Sequence, residues 1–439
     1  MLVIDRSIAL TIANRAWGVL AGSATLIFIA GYLAPIEQGF YYGITSMLGL
    51  QVFFELGLGF VVMQTASHIM ANLRIENSEI LGDAASLSRL GRLLADAVIW
   101  YSIACAAFII LVWFSGGWFL DRTPSSDMVQ WKQTWIFVVP IFGVSILTNA
   151  IFSFLEGIGL VADIAGVRLI QAIVGMLCLW LMLFFGYKLM ALVAQHLASL
   201  ILASAWLILR QRGLLLYLFA RRAAVGAINW RHEIWPFQWR IAGSWMAGYF
   251  GTQAVTLILF ARVGPVGAGK FGFSLMAISA IAGGATAWVT TKSPRFGKLV
   301  AQSRFVELDT LYDRARKGAL AIGILGSMTL LVGVIVLTWF HVAIADRFVP
   351  ILGLAAMVLA MLANLSIAAD ATYLRAFRRE PYLLLSLVIG GFQVLAAVLL
   401  SERGNIMPVV YSYAAINVGV GLIWARILFK RLRQEYVAI

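Results

Sequence analysis

Residues 16–33 read AWGVLAGSATLIFIAGYL and run on into Ala34-Pro35. All 18 are uncharged, which meets the minimum length for a helix through a hydrocarbon core. The stretch exceeds the roughly 7–15 apolar residues of a secretory signal and leads to a proline, so it reads as a retained first membrane helix. Working outward, segments of the same kind recur to the end of the chain. The first half holds spans at 13–34, 39–66, 93–117, 133–156, 166–186 and 189–209. The second holds spans at 239–262, 268–291, 318–341, 350–373, 381–401 and 407–429. Pro350, Pro381 and Pro408 stand where a span begins, the place in a helix where a missing N–H costs least. The connection at Tyr187-Lys188 is the narrowest, and spans five and six read as one broken helix would bring the count to eleven.

Composition supports the same reading. The 439 residues are 62% hydrophobic and 12% charged, with a mean hydropathy of +0.91. A soluble domain carries about twice that charge. Forty glycines and 15 tryptophans suit close helix packing and membrane interfaces. Cys105 and Cys178 lie in apolar stretches without metal-ligand spacing, so neither a disulfide framework nor a zinc site is expected. The expected fold is all-α: a polytopic bundle of about 12 transmembrane helices. Residues 1–209 and 239–439 form two six-helix lobes, and 210–238 a basic cytoplasmic linker.

Charge tests the helix count. With the N-terminus in the cytoplasm, the inside segments hold 26 of the 33 Lys and Arg residues, and the outside holds Arg122, Lys132, Lys188, Arg262, Lys270, Arg347 and Arg403. That is the bias of a correctly counted membrane protein. The net charge of +13 is then a topology signal rather than a nucleic-acid footprint, and both termini are expected on the cytoplasmic side. The halves also echo each other. Pro35 precedes Gly39 by four residues, as Pro265 precedes Gly269, and each glycine opens a long span. Six helices per half make the repeats parallel, with a central cleft between them as the expected site.

Pro35-Ile36-Glu37-Gln38-Gly39-Phe40-Tyr41-Tyr42, followed by Glu55-Leu56-Gly57-Leu58-Gly59, resembles the first hairpin of bacterial polysaccharide flippases, members of the multidrug/oligosaccharidyl-lipid/polysaccharide exporter superfamily. Pro236-Phe237-Gln238-Trp239-Arg240, opening the second half, is similar to members of the same group. The resemblance implies movement of an undecaprenyl-diphosphate-linked oligosaccharide between leaflets of the bacterial cytoplasmic membrane, for polysaccharide biosynthesis and export. It also implies a cationic cavity built from the first two helices of each half. The implied partners are that polyprenyl-diphosphate-linked oligosaccharide, membrane lipid and polysaccharide assembly proteins, with no nucleic acid and no cofactor.

A charge inside the membrane needs a reason. Glu55 lies near the centre of the second span, with Gln51 one turn before it on the same face. Glu55 could hold a proton or cation that drives transport, or form a fixed pair with a basic side chain. Gln64 and His68 lie on the opposite face unless Gly57 and Gly59 bend the helix. Arg15 and Arg240, at the cytoplasmic ends of the first and seventh spans, could clamp a diphosphate with bidentate guanidinium geometry or snorkel to the interface. Lys270 belongs to the eighth span, on the side where positive charge is scarce. Asp370, with Arg375 nearby, is a further coupling candidate. His196 reads as a packing histidine, and Arg92 with Asp96 as a local helix pair. Glu156 and Asp163 flank an inner loop in interfacial water.

No Gly-rich phosphate loop and no nucleophile with a base partner is present in the sequence, so an enzyme is not expected. A membrane polymerase or ligase would need a large outer loop, and the longest here is about 118–132. The alternative to a flippase is an ion-coupled exporter of a soluble drug or metabolite on the same fold. The excess of basic over acidic candidates leans toward an anionic substrate.

Overall fold

The computed structural model describes residues 6–71, 73–76, 79–123, 125–221, 235–377, 381–402 and 404–437. Helix dominates because hydrocarbon offers the backbone no hydrogen bonds and a helix pairs its own. The first half runs through α1 (Arg6–Tyr32), α2 (Pro35–Leu48), α3 (Val52–Glu55), α4 (Leu58–Met70), α5 (Ala84–Asp121), α6 (Trp131–Gly157), α7 (Val161–Phe184), α8 (Met190–Trp206) and α9 (Arg212–Ala220). The second runs through α10 (Trp235–Gly251), α11 (Gln253–Arg262), α12 (Pro265–Thr290), α13 (Ser293–Ala301), α14 (Phe305–Trp339), α15 (Ile351–Arg375), α16 (Leu383–Leu400), α17 (Met407–Ala415) and α18 (Ile423–Val437). One antiparallel hairpin, β1 (Leu73–Glu76) with β2 (Glu79–Gly82), sets Leu73 opposite Gly82. Of the expected basic linker, 222–234 lie outside the described residues.

Among the described residues ten helices are long and apolar enough to cross a bilayer. The pair α2–α4, bent by 44°, makes an eleventh if it counts as one span. The seventh expected span, 239–262, is interrupted at Thr252 into α10 and α11, of 17 and 10 residues. Spans five and six are separate helices: the chain turns between them through Gly186 and Lys188, both with positive φ (80° and 47°).

By packing, the chain forms two compact units. One comprises Met1–Trp17 and Met47–Met246, the other Gly18–Ser46 and Ala247–Ile439. These units do not follow the division at 209 and 239, because α2 and most of α1 group with the second half. In the first unit α6 packs on α4, α5 and α8, while α7 pairs with α8. Val138, Ile146, Phe152, Phe154 and Leu155 of α6 are fully buried. Asp83 starts α5, its carboxylate accepting the Ser86 N–H at 2.9 Å. In the second unit α15 is central, packing on α12, α14 and α17. Its Gly353, Ala360, Ala363, Ser366 and Ala369 are buried, small residues that let helices approach where lipid supplies no hydrophobic drive.

The tightest approach in that unit joins the two echoed motifs. A Cβ on Gly39 would stand 2.1 Å from the Pro265 carbonyl oxygen, and one on Gly269 would stand 2.9 Å from Gly39 N. Beside this crossing Gln38 Nε2 donates to Gly269 O at 2.8 Å. Arg347, in the turn before α15, donates through Nη2 to Ala30 O (3.2 Å) and Leu33 O (2.7 Å). A guanidinium on the last carbonyls of α1 satisfies groups that a helix end leaves orphaned. Burial works against the charge on Arg347, and Glu37 and Asp346 offset that effect.

This packing can be probed at Gly39 and Gly18. Gly39→Leu should abolish recovery of monodisperse protein. Gly39→Ala should lower the Tm in detergent, by an amount matching the ~1–3 kcal/mol of an overpacked contact. Gly18→Ala, with no atom within 4 Å of the new methyl, should leave the Tm unchanged in the same thermal-shift assay. At α5, the Ser86 N–H and hydroxyl hold the Asp83 carboxyl below its ordinary range. The cap therefore contributes above the unfolded carboxylate value of about 3.9 and is lost as pH falls through the lowered folded value. Hydrogen exchange at Ser86 and Leu87, corrected for intrinsic rates, should show this loss on acidification, and Asp83→Ala should remove the pH step.

Candidate functional site

Glu55 is the last residue of α3, and the chain breaks immediately after it. Leu56 (φ 49°, ψ 30°) and Gly57 (φ 65°, ψ 11°) both take left-handed backbone before α4 begins. Such a conformation costs a non-glycine residue about 1–2 kcal/mol. It puts the carbonyl end of α3 and the N-terminal end of α4, which carry opposite partial charges, on either side of the break. Gln51 closes the short turn before α3, so the two sequence-chosen residues bracket one helical turn. The Gly59 N–H donates to the Tyr101 hydroxyl, and Glu55 is the charge nearest that phenol in effect. A Cβ at Gly59 would sit 3.0 Å from Ser153 Oγ and 3.3 Å from Tyr101 Oη, placing two hydroxyls of α5 and α6 against the break. Gly57 is required as well, since its Cβ would meet Ile241 Cγ2 at 2.5 Å. Neither Glu55 nor Gln51 makes an ion pair or side-chain hydrogen bond among the described residues. The condition under which Gln64 and His68 leave the opposite face, a bend at the glycines, is met.

The basic candidates fall in different surroundings. Arg15 is exposed on α1. Arg240 lies on α10, and its side chain is outside the described residues. Lys270 is half-buried on α12, directly after the Gly269 crossing. It has no ion pair or hydrogen bond among the described residues.

Asp370, fully buried on α15, meets two arginines from distant helices. Arg426 Nη1 of α18 lies 3.2 Å from its carboxylate and Arg316 Nε of α14 lies 4.0 Å away. The Tyr312 hydroxyl donates to Oδ1, and Ser366 Oγ accepts from Arg426 (2.7 Å) and Arg316 (3.1 Å). A second pair, Arg433 with Asp309 at 2.7 Å, continues the network, and Tyr373 donates to Asp309 Oδ1 at 2.7 Å. Sequence proximity suggested Arg375. The available signal was instead the four-residue spacing of Tyr312 and Arg316, which puts both on one face of α14.

The remaining charged candidates divide. Arg92 and Asp96 pair at 2.9 Å along α5 as expected. Glu156, placed in interfacial water by the sequence, is largely covered and pairs with Arg168 at 3.1 Å. His196 stands edge-on to Phe142, with ring centroids 5.0 Å apart. Among the described residues no group of three His, Cys, Asp or Glu is placed to hold a metal ion.

No protein-family profile and no curated protein sequence matches the chain. Solved structures do. An inward-facing multidrug resistance MATE family transporter of the MOP superfamily aligns with a TM-score of 0.68 at 14% identity, covering 97% of this chain and 96% of its own. The lipid II flippase MurJ, in an inward closed conformation, aligns at 0.65 and 11%, covering 96% and 87%. A MOP superfamily transporter from Pyrococcus furiosus, described by the reversed polarity of its binding pocket, aligns at 0.55 and 14%, covering 98% and 96%. At these identities the likeness speaks for architecture, and along almost its whole length this chain has the polytopic helical fold of the MOP-superfamily transporters.

Proposed function

We propose that the protein is a flippase that carries a polyprenyl-diphosphate-linked oligosaccharide across the bacterial cytoplasmic membrane, with both termini in the cytoplasm. The observation that carries this reading is Lys270, a half-buried ammonium within a spanning helix with no anion beside it among the described residues. A lysine ammonium held partly out of water carries a desolvation cost that a bound diphosphate would offset. The resemblance of residues 35–42 and 55–59 to polysaccharide flippases supports the choice, as does the fold shared with a lipid II flippase. Arg15 and Arg240 are further phosphate candidates. Glu55 is the coupling residue in this reading, with Gln51 one turn away as a neutral ligand. Asp370 would have to shed Arg426 before it could hold a coupling ion, so its place here is to tie α14, α15 and α18 together.

A second reading, ion-coupled export of a soluble drug or metabolite, is favoured by the MATE transporter at a TM-score of 0.68. Translocation of a fluorescent polyprenyl-diphosphate oligosaccharide in proteoliposomes separates the two. Wild type should move the lipid, and Lys270→Ala should slow it roughly tenfold, the equivalent of about 1.4 kcal/mol, with Lys270→Arg recovering most of the rate. Protein-dependent efflux of soluble organic ions, without lipid movement across several glycans, would select the exporter instead.

For Glu55, an imposed proton or sodium gradient should accelerate wild-type translocation. Glu55→Gln should remove that acceleration. A gradient response unchanged in the variant would take coupling away from this carboxylate.

A further inference from the structure

Within the first unit, α6, α7 and α8 line a cavity of about 230 Å3. Three polar side chains at its wall are unspent: Asn149 of α6 and Gln195 and His196 of α8 make no hydrogen bond among the described residues. Their neighbours show what spent groups look like here. Gln171 Nε2 donates to Ser199 O at 2.8 Å, and the Ser199 hydroxyl donates to Gln195 O at 3.0 Å. Asn149 is exposed and Gln195 and His196 are half-buried, so all three are open to a guest, and in a membrane-spanning segment a polar side chain without a partner is costly.

The lining also says what kind of guest. Arg168 is its single charged residue, and its guanidinium already faces Glu156 at 3.1 Å. No carboxylate lines the cavity, so nothing there selects a cation, and the one cationic group is compensated. The two amides offer donors and acceptors together, and a neutral imidazole offers one of each. Phe142, Ala172 and Met176 supply an apolar part to the same lining. Water prefers a polar cavity, and an apolar one stays dry. A lining divided between the two complements a ring with hydroxyls on its edge and C–H groups on its faces. The volume lies below the roughly 300–1,000 Å3 of pockets for drug-sized ligands, which limits the guest to about one such ring.

A cavity of similar size in the second unit, about 250 Å3 beside Thr252, sets Leu275, Ile278, Met357 and Met361 beside Ser279, Thr286, Asn364 and Tyr413, and the surface it exposes is mostly apolar. The polar character of the first cavity therefore comes from the residues on α6–α8 and is not a general property of the bundle.

We propose that this cavity is a binding subsite for a single uncharged sugar ring. The inference goes beyond the flippase reading, because it concerns one unit and needs neither Lys270 nor Glu55. The test is equilibrium binding of tritiated glucose, galactose and N-acetylglucosamine to the purified full chain, with glucuronate as the charged probe. Saturable binding of at least one uncharged sugar, preferred over glucuronate, is expected. Asn149→Ala combined with Gln195→Ala should weaken it roughly tenfold or more, and Ala172→Trp, which fills the cavity, should abolish it. Should Ala172→Trp fail to fold, the double alanine variant still decides. No saturable binding by monodisperse protein, binding untouched by the variants, or equal uptake of glucuronate would overturn the proposal. Lipid-linked substrate translocation on the same preparation judges the flippase reading separately: sugar binding without translocation sinks that reading and leaves this one standing.

Discussion

No side chain fits where α2 crosses α12. The Gly39 backbone lies so near the Pro265 carbonyl that even a methyl group would collide with it, and the other motif's glycine, Gly269, closes on the Gly39 amide. In lipid, helices gain by packing rather than by leaving water, so backbone contact is where two spans hold each other best. The crossing also sets what lies around it. With the backbones this close, Gln38 reaches the Gly269 carbonyl, and Arg347 reaches the last carbonyls of α1. This is also why α2 and most of α1 belong by packing to the second unit rather than to the half in which they are encoded.

Much of this architecture was legible in the sequence. Long uncharged runs identify the spanning segments because hydrocarbon penalises every exposed polar group. The sequence marks the close approach of the two motifs by their proline–glycine spacing, since the backbone contact at Gly39 leaves no room for a Cβ. The break at Thr252 is marked only by the short polar stretch Gly251-Thr252-Gln253, with no proline to signal it. The hairpin of 73–76 with 79–82 left a faint trace, in that Leu73 and Ile75 alternate with polar residues. It was overlooked because a short polar loop between spans carries little weight against the helical pattern. Around Glu55, Gly57 and Gly59 signalled a bend, but only the structure brings Tyr101 and Ser153 to it. The Asp370 network was hidden for the same reason, as its arginines lie some 55 residues away on either side. Local sequence reports periodicity, whereas a buried ion pair is a tertiary fact.

The intramembrane charges then sort by how they are satisfied. Asp370 sits among two guanidinium groups and a phenol, an arrangement in which removing one partner leaves a buried charge uncompensated. That is the signature of a group that holds helices together. Glu55 and Lys270 have no such company among the described residues, and each lies where a helix is interrupted or crossed at its backbone.

The break after Glu55 carries the argument furthest. Irregular backbone at membrane depth survives only when protein covers it or when it lines a cavity. Here both coverings come from elsewhere in the same unit: Ile241 presses on Gly57, and Tyr101 takes the Gly59 N–H. A leucine held in left-handed backbone adds strain that a continuous helix would avoid. What the interruption supplies instead is geometry: a carboxylate at the carbonyl end of one helix, next to the amide end of another and against two hydroxyls. The interruption thus gathers polar groups that a continuous helix would have kept apart.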